Sequence, residues 1–441
     1  MKVSQNNTFD VVIIGAGVVG ASIALGLAKR GLKTLNVDTL PAAGYGSTSN
    51  SSAIIRPFYS AIESCALAHE ARSRWLKWPE FLNADDESGH ARYTECGMLI
   101  LVAEEDKKLF QPSLEAMQSV GVAFEHLTVD EIGKQFRFFN TASFSPPRLT
   151  GDPGFGISNK TPLAGGYDIA AAGYVSDPQL ATHNLQRAAE ALGAVFIFNT
   201  RVTAIERSSG RVTAVTTHHG EKIEAPVIIN AAGPHSSKIN SLAGIADAMT
   251  ISTHPLRHEA AHVPAPAGFG HGSDQINRVI GDSDTGVYMR PELGGNMLIG
   301  SLDPACDAKD FVNADHYNNT LTEQWTQQVW RAAQRIPSLC IPNIAQGVVG
   351  LYDATPDWIP IYDKSPLPGF YMAIGTSGNQ FKNAPVIGDL MATLVTACEA
   401  GHDHDNDPVK FHLPALQRTI DLGFFSRNRE LHAESSGTVL A

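Results

Sequence analysis

Apolar and polar positions change period several times along this 441-residue chain, and each change marks an element. Val11-Val12-Ile13-Ile14 is wholly β-branched with no polar alternation, which predicts a short strand buried on both faces. It runs into Gly15-Ala16-Gly17-Val18-Val19-Gly20, and a helical stretch with Ala24, Ala28 and Gly31 follows. A second short strand, Leu35-Asn36-Val37, ends in Asp38. An amphipathic stretch with Trp75 and Trp78 is predicted from Glu63 to Leu82, and a strand from Gly97 to Val102. The Pro/Gly/Ser-rich run Ser143 to Pro162 reads as loop. Asp177 and Pro178 suit the N-cap and first position of a helix running through Leu192. Strands at 193–198 and 201–205 lead into a meander turned at Ser209-Gly210 and His219-Gly220. Its last strand, Val227-Ile228-Ile229, ends in Asn230-Ala231-Ala232-Gly233. One helix, Leu321 to Arg335, interrupts the strands of residues 252–345. Phe370 to Ile374 is a final strand opening into Gly375-Thr376-Ser377-Gly378, and a helix from Ala384 to Ala400 follows.

The order of these elements predicts an α/β fold. A doubly wound nucleotide domain is assembled from residues 1–90, 161–251 and 346–434. A second, α+β domain with an antiparallel or mixed sheet is inserted twice, as 91–160 and 252–345, and 435–441 form a disordered tail. The first βαβ unit carries chemistry. Seventeen residues separate Gly20 from Asp38, close to the spacing of a dinucleotide-binding unit. Gly15 allows the tight turn, Gly17 admits a pyrophosphate against the backbone, and Gly20 lets helix and strand pack closely. The helix N-terminus offers unpaired N–H groups to phosphates. Asp38 can bind both ribose hydroxyls, and its charge disfavours a 2′-phosphate. The uncharged run Val11 to Ala28 also satisfies a hydropathy criterion for a membrane span or signal segment. Three glycines among its first ten residues, a single preceding Lys and the following Lys29-Arg30 argue against that.

Composition narrows the class. The chain is 43% hydrophobic and 18% charged, as in a soluble globular protein with large cores. Its formal net charge of −12 disfavours nucleic-acid and anionic membrane surfaces. Five scattered cysteines without a CxxC pair fit a reducing, cytoplasmic setting. His254, His258 and His262 recur at intervals of four, but Pro255 and Pro264 argue against a helical metal face, and no metal is expected.

Taken together, the chain resembles the D-amino-acid oxidase superfamily of flavoproteins, with its closest look to the glycine oxidase, sarcosine oxidase and dimethylglycine dehydrogenase branches. The resemblance is carried by Gly15 to Gly20 with Asp38, by Gly44 to Arg56, by Gly193 to Val202, by Asn230 to Pro234 and by Gly375 to Lys382. It implies a discontinuous Rossmann-like FAD-binding domain. Expected cofactor contacts are Gly15, Gly17, Val18, Val19, Gly20, Asp38, Thr39, Ser47, Thr48, Ser49, Ser51, Ser52, Ala53, Arg201 and Val202. Ala231, Ala232, Gly233, Gly350, Gly375, Ser377, Gly378, Asn379, Gln380, Phe381 and Lys382 complete them. The chain departs from the resembling branches where they carry covalent flavin links: Gly350 stands in place of a Cys and Asn50 in place of a His. Non-covalent FAD is therefore expected. Leu298 falls near an oxygen-activating Lys of the monomeric sarcosine branch, which leaves the acceptor open between O2 and a quinone or other carrier.

The implied activity is oxidation of a carbon–nitrogen bond in an amino acid, preferably glycine-like or N-substituted, to an imine that hydrolyses to an oxo acid and an amine. Such a site needs a fixed cation for the carboxylate. By resemblance Arg56 and Lys382 form that clamp; the alternatives are a salt bridge from Arg56 to a buried acid and a solvated Lys382. Tyr352 is a pocket candidate, and so are Tyr288 and Arg290 on one strand. His258 is a candidate base for the amine. If Arg290 or Arg257 also faces the pocket, a substrate with two carboxylates becomes attractive. Rival readings are a D-amino-acid dehydrogenase using a quinone, a flavin-binding subunit of a multi-subunit sarcosine or opine-type oxidase, and a plain NAD enzyme. The expected assemblies are a homo-oligomer or a subunit of a hetero-oligomeric oxidase, and neither a nucleic-acid partner nor an integral membrane segment is expected.

Overall fold

The computed structural model describes residues 8–432, so the expected tail lies outside the described residues. A six-stranded sheet has the order Ile361–Lys364, Phe370–Ile374, Val227–Asn230, Val11–Ile14, Thr34–Val37, Val195–Ile197. Val11–Ile14 pairs in parallel with Thr34–Val37 on one side and Val227–Asn230 on the other, and Val227–Asn230 pairs in parallel with Phe370–Ile374. The central strand is covered on both faces, which explains its unbroken apolar character. The helix Val18–Ala28 is buried at every residue. It lies against Ala384–Glu399 so closely that a Cβ on Gly26 would stand 2.3 Å from the Gly388 backbone. The Ser22 hydroxyl accepts from Gly388 N–H at 3.1 Å across the same contact. A helix apolar all round needs such neighbours on every side. The third helix of this layer, Pro178–Ala191, starts as expected, with the Asp177 carboxylate accepting from Leu180 N–H at 2.9 Å.

The second layer is an eight-stranded mixed sheet ordered Gly347–Ala354, His254–Pro264, Asn296–Ser301, Val287–Glu292, Val279–Asp282, Met98–Val102, Gly165–Ile169, Glu125–Leu127. The two inserted segments join where Met98–Val102 runs parallel to Val279–Asp282. The boundaries differ from the expected ones at two places. Gly165–Ile169 pairs with Met98–Val102, and Gly347–Ala354 pairs with His254–Pro264, so both strands belong to this sheet and not to the nucleotide sheet. Strand partnership is decided by register with distant segments, which local composition does not carry. The helix Glu323–Arg335 backs the sheet, and its buried Arg335 pairs with Asp282 and Asp284, each at 2.8 Å. His254, His258 and His262 lie along one strand, not on a helix.

Candidate active site

The glycine turn is built to leave space. Gly15 has φ +117°, and a Cβ there would lie 2.2 Å from the Ala231 carbonyl. A Cβ on Gly20 would meet the Gly15 carbonyl at 2.3 Å. Asn36, polar inside a fully buried strand, explains how the turn holds: its Nδ2 donates to the carbonyls of Gly15 at 3.0 Å and Gly20 at 3.1 Å. Asp38 accepts from Ala16 N–H at 2.6 Å and from Leu40 N–H at 2.8 Å. Burial pushes its carboxyl above the usual range, against those hydrogen bonds. Thr200 N–H donates to the Asp38 carbonyl at 2.8 Å. That places the 199–202 segment beside the acid, although neither Arg201 nor Val202 lines a cavity described below. Thr39 is exposed beside Asp38.

From this turn a cavity of about 950 Å3, open to solvent, passes between the two sheets. Gly17, Val18 and Val19 line one part of it, with Ala231 and Gly233. Ser47, Thr48, Ser51 and Ser52 line it from the serine loop, Gly350, Leu351 and Tyr352 from the eight-stranded sheet, and Gly378, Gln380 and Phe381 from the C-terminal loop. Other expected contacts shape these walls instead of lining them. Ser49 donates to the Gly46 carbonyl at 2.9 Å, and Ala53, at φ +50°, donates its N–H to Ser51 Oγ at 3.0 Å. Asp353 fixes the C-terminal loop by accepting Gly375 N–H at 2.7 Å, and Ser377 N–H donates to its carbonyl at 2.9 Å. Ala232 N–H is held by Asn230 Oδ1 at 3.1 Å. The cradle fits a dinucleotide: a helix N-terminus and backbone with no side chains face an elongated set of walls.

A smaller cavity of about 440 Å3 shares Ser51, Ser52, Tyr288, Gly378 and Phe381 with the first and adds Arg56, Asn379 and Lys382. Arg56 and Lys382, more than 300 positions apart in the chain, are 3% and 4% exposed. Lys382 is therefore no solvated loop residue. Its ammonium donates to Tyr59 Oη at 2.8 Å and to the Asn379 carbonyl; no carboxylate is paired with it among the described residues. Burial, and secondly the Arg56 charge, hold its pKa well below the ordinary value. Burial also lowers Arg56, which donates to the Phe58 carbonyl and lies 4.6 Å over the Tyr59 ring. Tyr59 joins the two cations and donates to the Asn379 carbonyl at 3.0 Å. Burial raises its phenol to about 12, so it stays neutral. Two buried basic side chains thus share one wall of this cavity.

On the sheet side, His258 lies opposite Gly350 in the strand register, and its ring stacks on Tyr352 at 4.2 Å. The Tyr288 and Tyr352 hydroxyls are hydrogen-bonded to each other, and Tyr288 also to Ser52. Burial raises both phenols. Of the two candidates on this strand, Tyr288 lines both cavities, and Arg290 is engaged elsewhere. Its Nε donates to the Ser52 carbonyl at 2.8 Å, its Nη1 to the Pro291 carbonyl at 2.8 Å, and its Nη2 pairs with Glu292 at 2.8 Å. It lines neither cavity: although period-2 alternation puts it on the same strand face as Tyr288, these partners and the Tyr174 ring, 4.7 Å from its guanidinium, hold it. Arg257 is likewise engaged, with Glu259 at 2.6 Å and the carbonyls of Asn318 and Thr320. Sequence reasoning passed over Asn36, Tyr59 and Asp303. Asn36 had a signal, a lone amide between buried strand positions. Asp303 had none, since a loop acid looks solvated until its neighbours are known.

The chain matches the family model described as FAD dependent oxidoreductase (DAO) over residues 10–394. It is 25% identical over 395 residues to the sarcosine oxidase subunit beta of Arthrobacter sp, covering 89% of this chain and 88% of that protein. It is 25% identical over 406 residues to the glycine oxidase of Geobacillus kaustophilus, covering 90% and 96%. The crystal structure of that glycine oxidase superposes with a TM-score of 0.73 at 22% identity, covering 97% of this chain and all of that one. L-proline dehydrogenase from P.horikoshii gives 0.74 at 22% identity, covering 96% and 97%. The chain belongs to the DAO family and is an FAD-dependent oxidoreductase. Among the described residues no helix is long and apolar enough to cross a membrane.

Proposed function

We propose that this protein oxidises an α-amino acid of the glycine or N-substituted glycine type: the Cα–H bond breaks as hydride leaves, the C–N single bond becomes the C=N bond of an imine, and hydrolysis of the imine releases an oxo acid and an amine. FAD, when bound, supplies the two-electron acceptor. The observation that carries the reading is the pair Arg56 and Lys382, buried without a carboxylate on Lys382 and opening into a cavity that adjoins the glycine-lined cradle. Their role is to hold the substrate carboxylate and so fix the neighbouring carbon. Tyr288 and Tyr352 exclude water from the opposite side, and His258 faces the same space. The names of the glycine oxidase and sarcosine oxidase relatives support a small amine substrate. Because Arg257 and Arg290 are both engaged elsewhere, a single-carboxylate substrate is favoured over a dicarboxylate.

Cofactor attachment is read as non-covalent. Gly350 and Asn50 meet in space, a Cβ on Gly350 falling 3.1 Å from Asn50 Cβ, and neither offers a nucleophile. The residues proposed to hold FAD are the glycine turn with Asp38, the serine loop and the 375–382 loop. Anaerobic mixing of the holoenzyme with sarcosine, glycine, iminodiacids and D-amino acids tests the assignment. Bleaching by sarcosine or glycine is expected; failure with every one removes the amino-acid reading. Oxygen uptake compared with dye reduction assigns the acceptor. A second reading, a subunit that works only with another polypeptide, is favoured by the name of the sarcosine oxidase subunit beta relative. Gel filtration with activity across the fractions decides it.

A further inference from the structure

We infer that Asp303 and His258 form a two-group proton relay that takes the proton from the substrate amine before its carbon is oxidised. The inference deepens the amine-oxidation reading above and rests on it.

The sheet register creates the pair. Ala260 pairs with Gly300, so His258, two residues before Ala260, comes level with the segment just after Ser301. There the chain turns at Asp303, which has φ +56° and donates its N–H to Ser301 Oγ at 2.9 Å. The turn points the carboxylate inward: its side chain is 7% exposed, and Oδ1 stands 3.5 Å from His258 Nε2. Oδ2 is buried with no hydrogen-bond partner in the structure. A carboxylate placed so would be costly without a proton or a donor to accept. His258 lines the larger cavity, which shares Tyr288 and Gly378 with the smaller one, while Asp303 lines neither, so the imidazole stands between the carboxylate and the open space. Stacking on Tyr352 fixes the plane of the ring.

The charges around the pair set where a proton rests. Burial lowers His258 to about 3; Asp307 opposes that shift, while Arg257 and Lys309 add to it. Burial, then Asp307, raises Asp303 to about 7, with Lys309 opposing. Tyr288 and Tyr352 face Asp303 as neutral phenols. Asp303 is therefore the stronger base of the two, and His258 is the conductor. In the step, the amine N–H bond breaks as Nδ1–H forms on His258; the Nε2–H bond breaks as a proton lands on Asp303 Oδ1. The amine leaves the step neutral, with its lone pair free to support loss of hydride from the adjacent carbon. No electrons move in the relay. A 3.5 Å separation is usual for catalytic hydrogen bonds before the substrate tightens them.

Two measurements on the holoenzyme test this. In protein labelled with 13C and 15N in histidine, the His258 signals are found by their loss in His258→Asn. Wild type should show a neutral ring with its proton on Nε2, and Asp303→Asn should shift that tautomer. An unchanged tautomer in D303N overturns the pairing, whatever the substrate. In anaerobic stopped-flow with sarcosine, wild-type flavin reduction should rise with pH through an apparent value near 7. D303N should lose that limb and run about 100-fold slower above it, and Asp303→Glu should restore the limb. A wild-type pH profile in D303N, with FAD content and melting temperature intact, refutes the relay. If wild type is not reduced by any amino acid while the tautomer shifts as stated, the substrate reading fails and the pairing stands.

Discussion

Replacing Lys382 with Met separates ligand binding from stability in opposite directions. The Lys382 ammonium has three donors, and two are described: Tyr59 Oη at 2.8 Å and the Asn379 carbonyl. A carboxylate in the cavity gains the charge and the remaining donor. Removing one partner of a buried ionic contact costs about 3–5 kcal/mol. At about 1.4 kcal/mol per decade this is roughly a 100- to 4,000-fold loss of affinity. Without a ligand the sign reverses. Burial and Arg56 hold the folded-state pKa of Lys382 below its unfolded value of about 10.4. The unfolded chain thus binds the proton more tightly, so Lys382 costs stability at every pH below that value, and more as pH falls toward its folded pKa. Lys382→Met should melt at a temperature equal to or above wild type at neutral pH. Propionate, which has the carboxylate but no oxidisable amine, is a suitable probe for melts followed by flavin fluorescence. At a concentration about 100 times the wild-type Kd it should add about 2.7 kcal/mol to wild type. The same concentration then only equals a 100-fold weakened Kd and adds about 0.4 kcal/mol to K382M. Equal stabilisation of the two proteins would show that Lys382 does not hold a carboxylate.

Gly378→Ala should displace Tyr352, since its Cβ would lie 2.4 Å from the ring Cζ at φ +67°. Flavin reduction by sarcosine should slow at least about tenfold, equivalent to 1.4 kcal/mol, with FAD absorbance retained; an unchanged rate would remove Tyr352 from the site. Asn36→Leu leaves the buried carbonyls of Gly15 and Gly20 without their shared donor. It should cost about 2–4 kcal/mol and release FAD on dilution, measured as free flavin in a filtrate. Asp353→Asn tests burial directly. Burial raises the Asp353 carboxyl to about 6, above the ordinary aspartate value of about 3.9. A raised folded pKa contributes stability below the unfolded value that is lost as pH rises through the folded one. D353N should therefore match wild type near pH 4 and exceed it by about 3 kcal/mol above pH 6; parallel melting curves at both pH values would refute this.

The elements near the glycine turn were legible because each is decided locally. Val11–Ile14 is an apolar strand, Phe370–Ile374 another, and Asp177-Pro178 a helix start, and all three lie where the pattern puts them. The break of the Glu63 to Leu82 stretch into helices Ile62–Leu76 and Trp78–Leu82 was not read, although Pro79 marked it. Residues 165–169 and 347–354 fall inside ranges expected for the nucleotide domain, yet they pair into the eight-stranded sheet, because hydrogen bonding to a distant partner leaves little trace in five to eight residues.

By itself the sequence determined the βαβ unit and its acid, since turn chemistry and hydrophobic period depend on neighbours along the chain. Only the tertiary structure decided which charges are spent and which remain. Arg290 and Arg257 found Glu292 and Glu259, whereas Lys382 was buried beside Arg56 with a phenol and a carbonyl for company. Asp303 became a buried acid facing His258 through a strand register set more than 40 residues away. The physical reason is that burial and pairing of a charge depend on three-dimensional neighbours, and the same side chain is solvent-exposed, neutralised or poised according to what the fold brings against it.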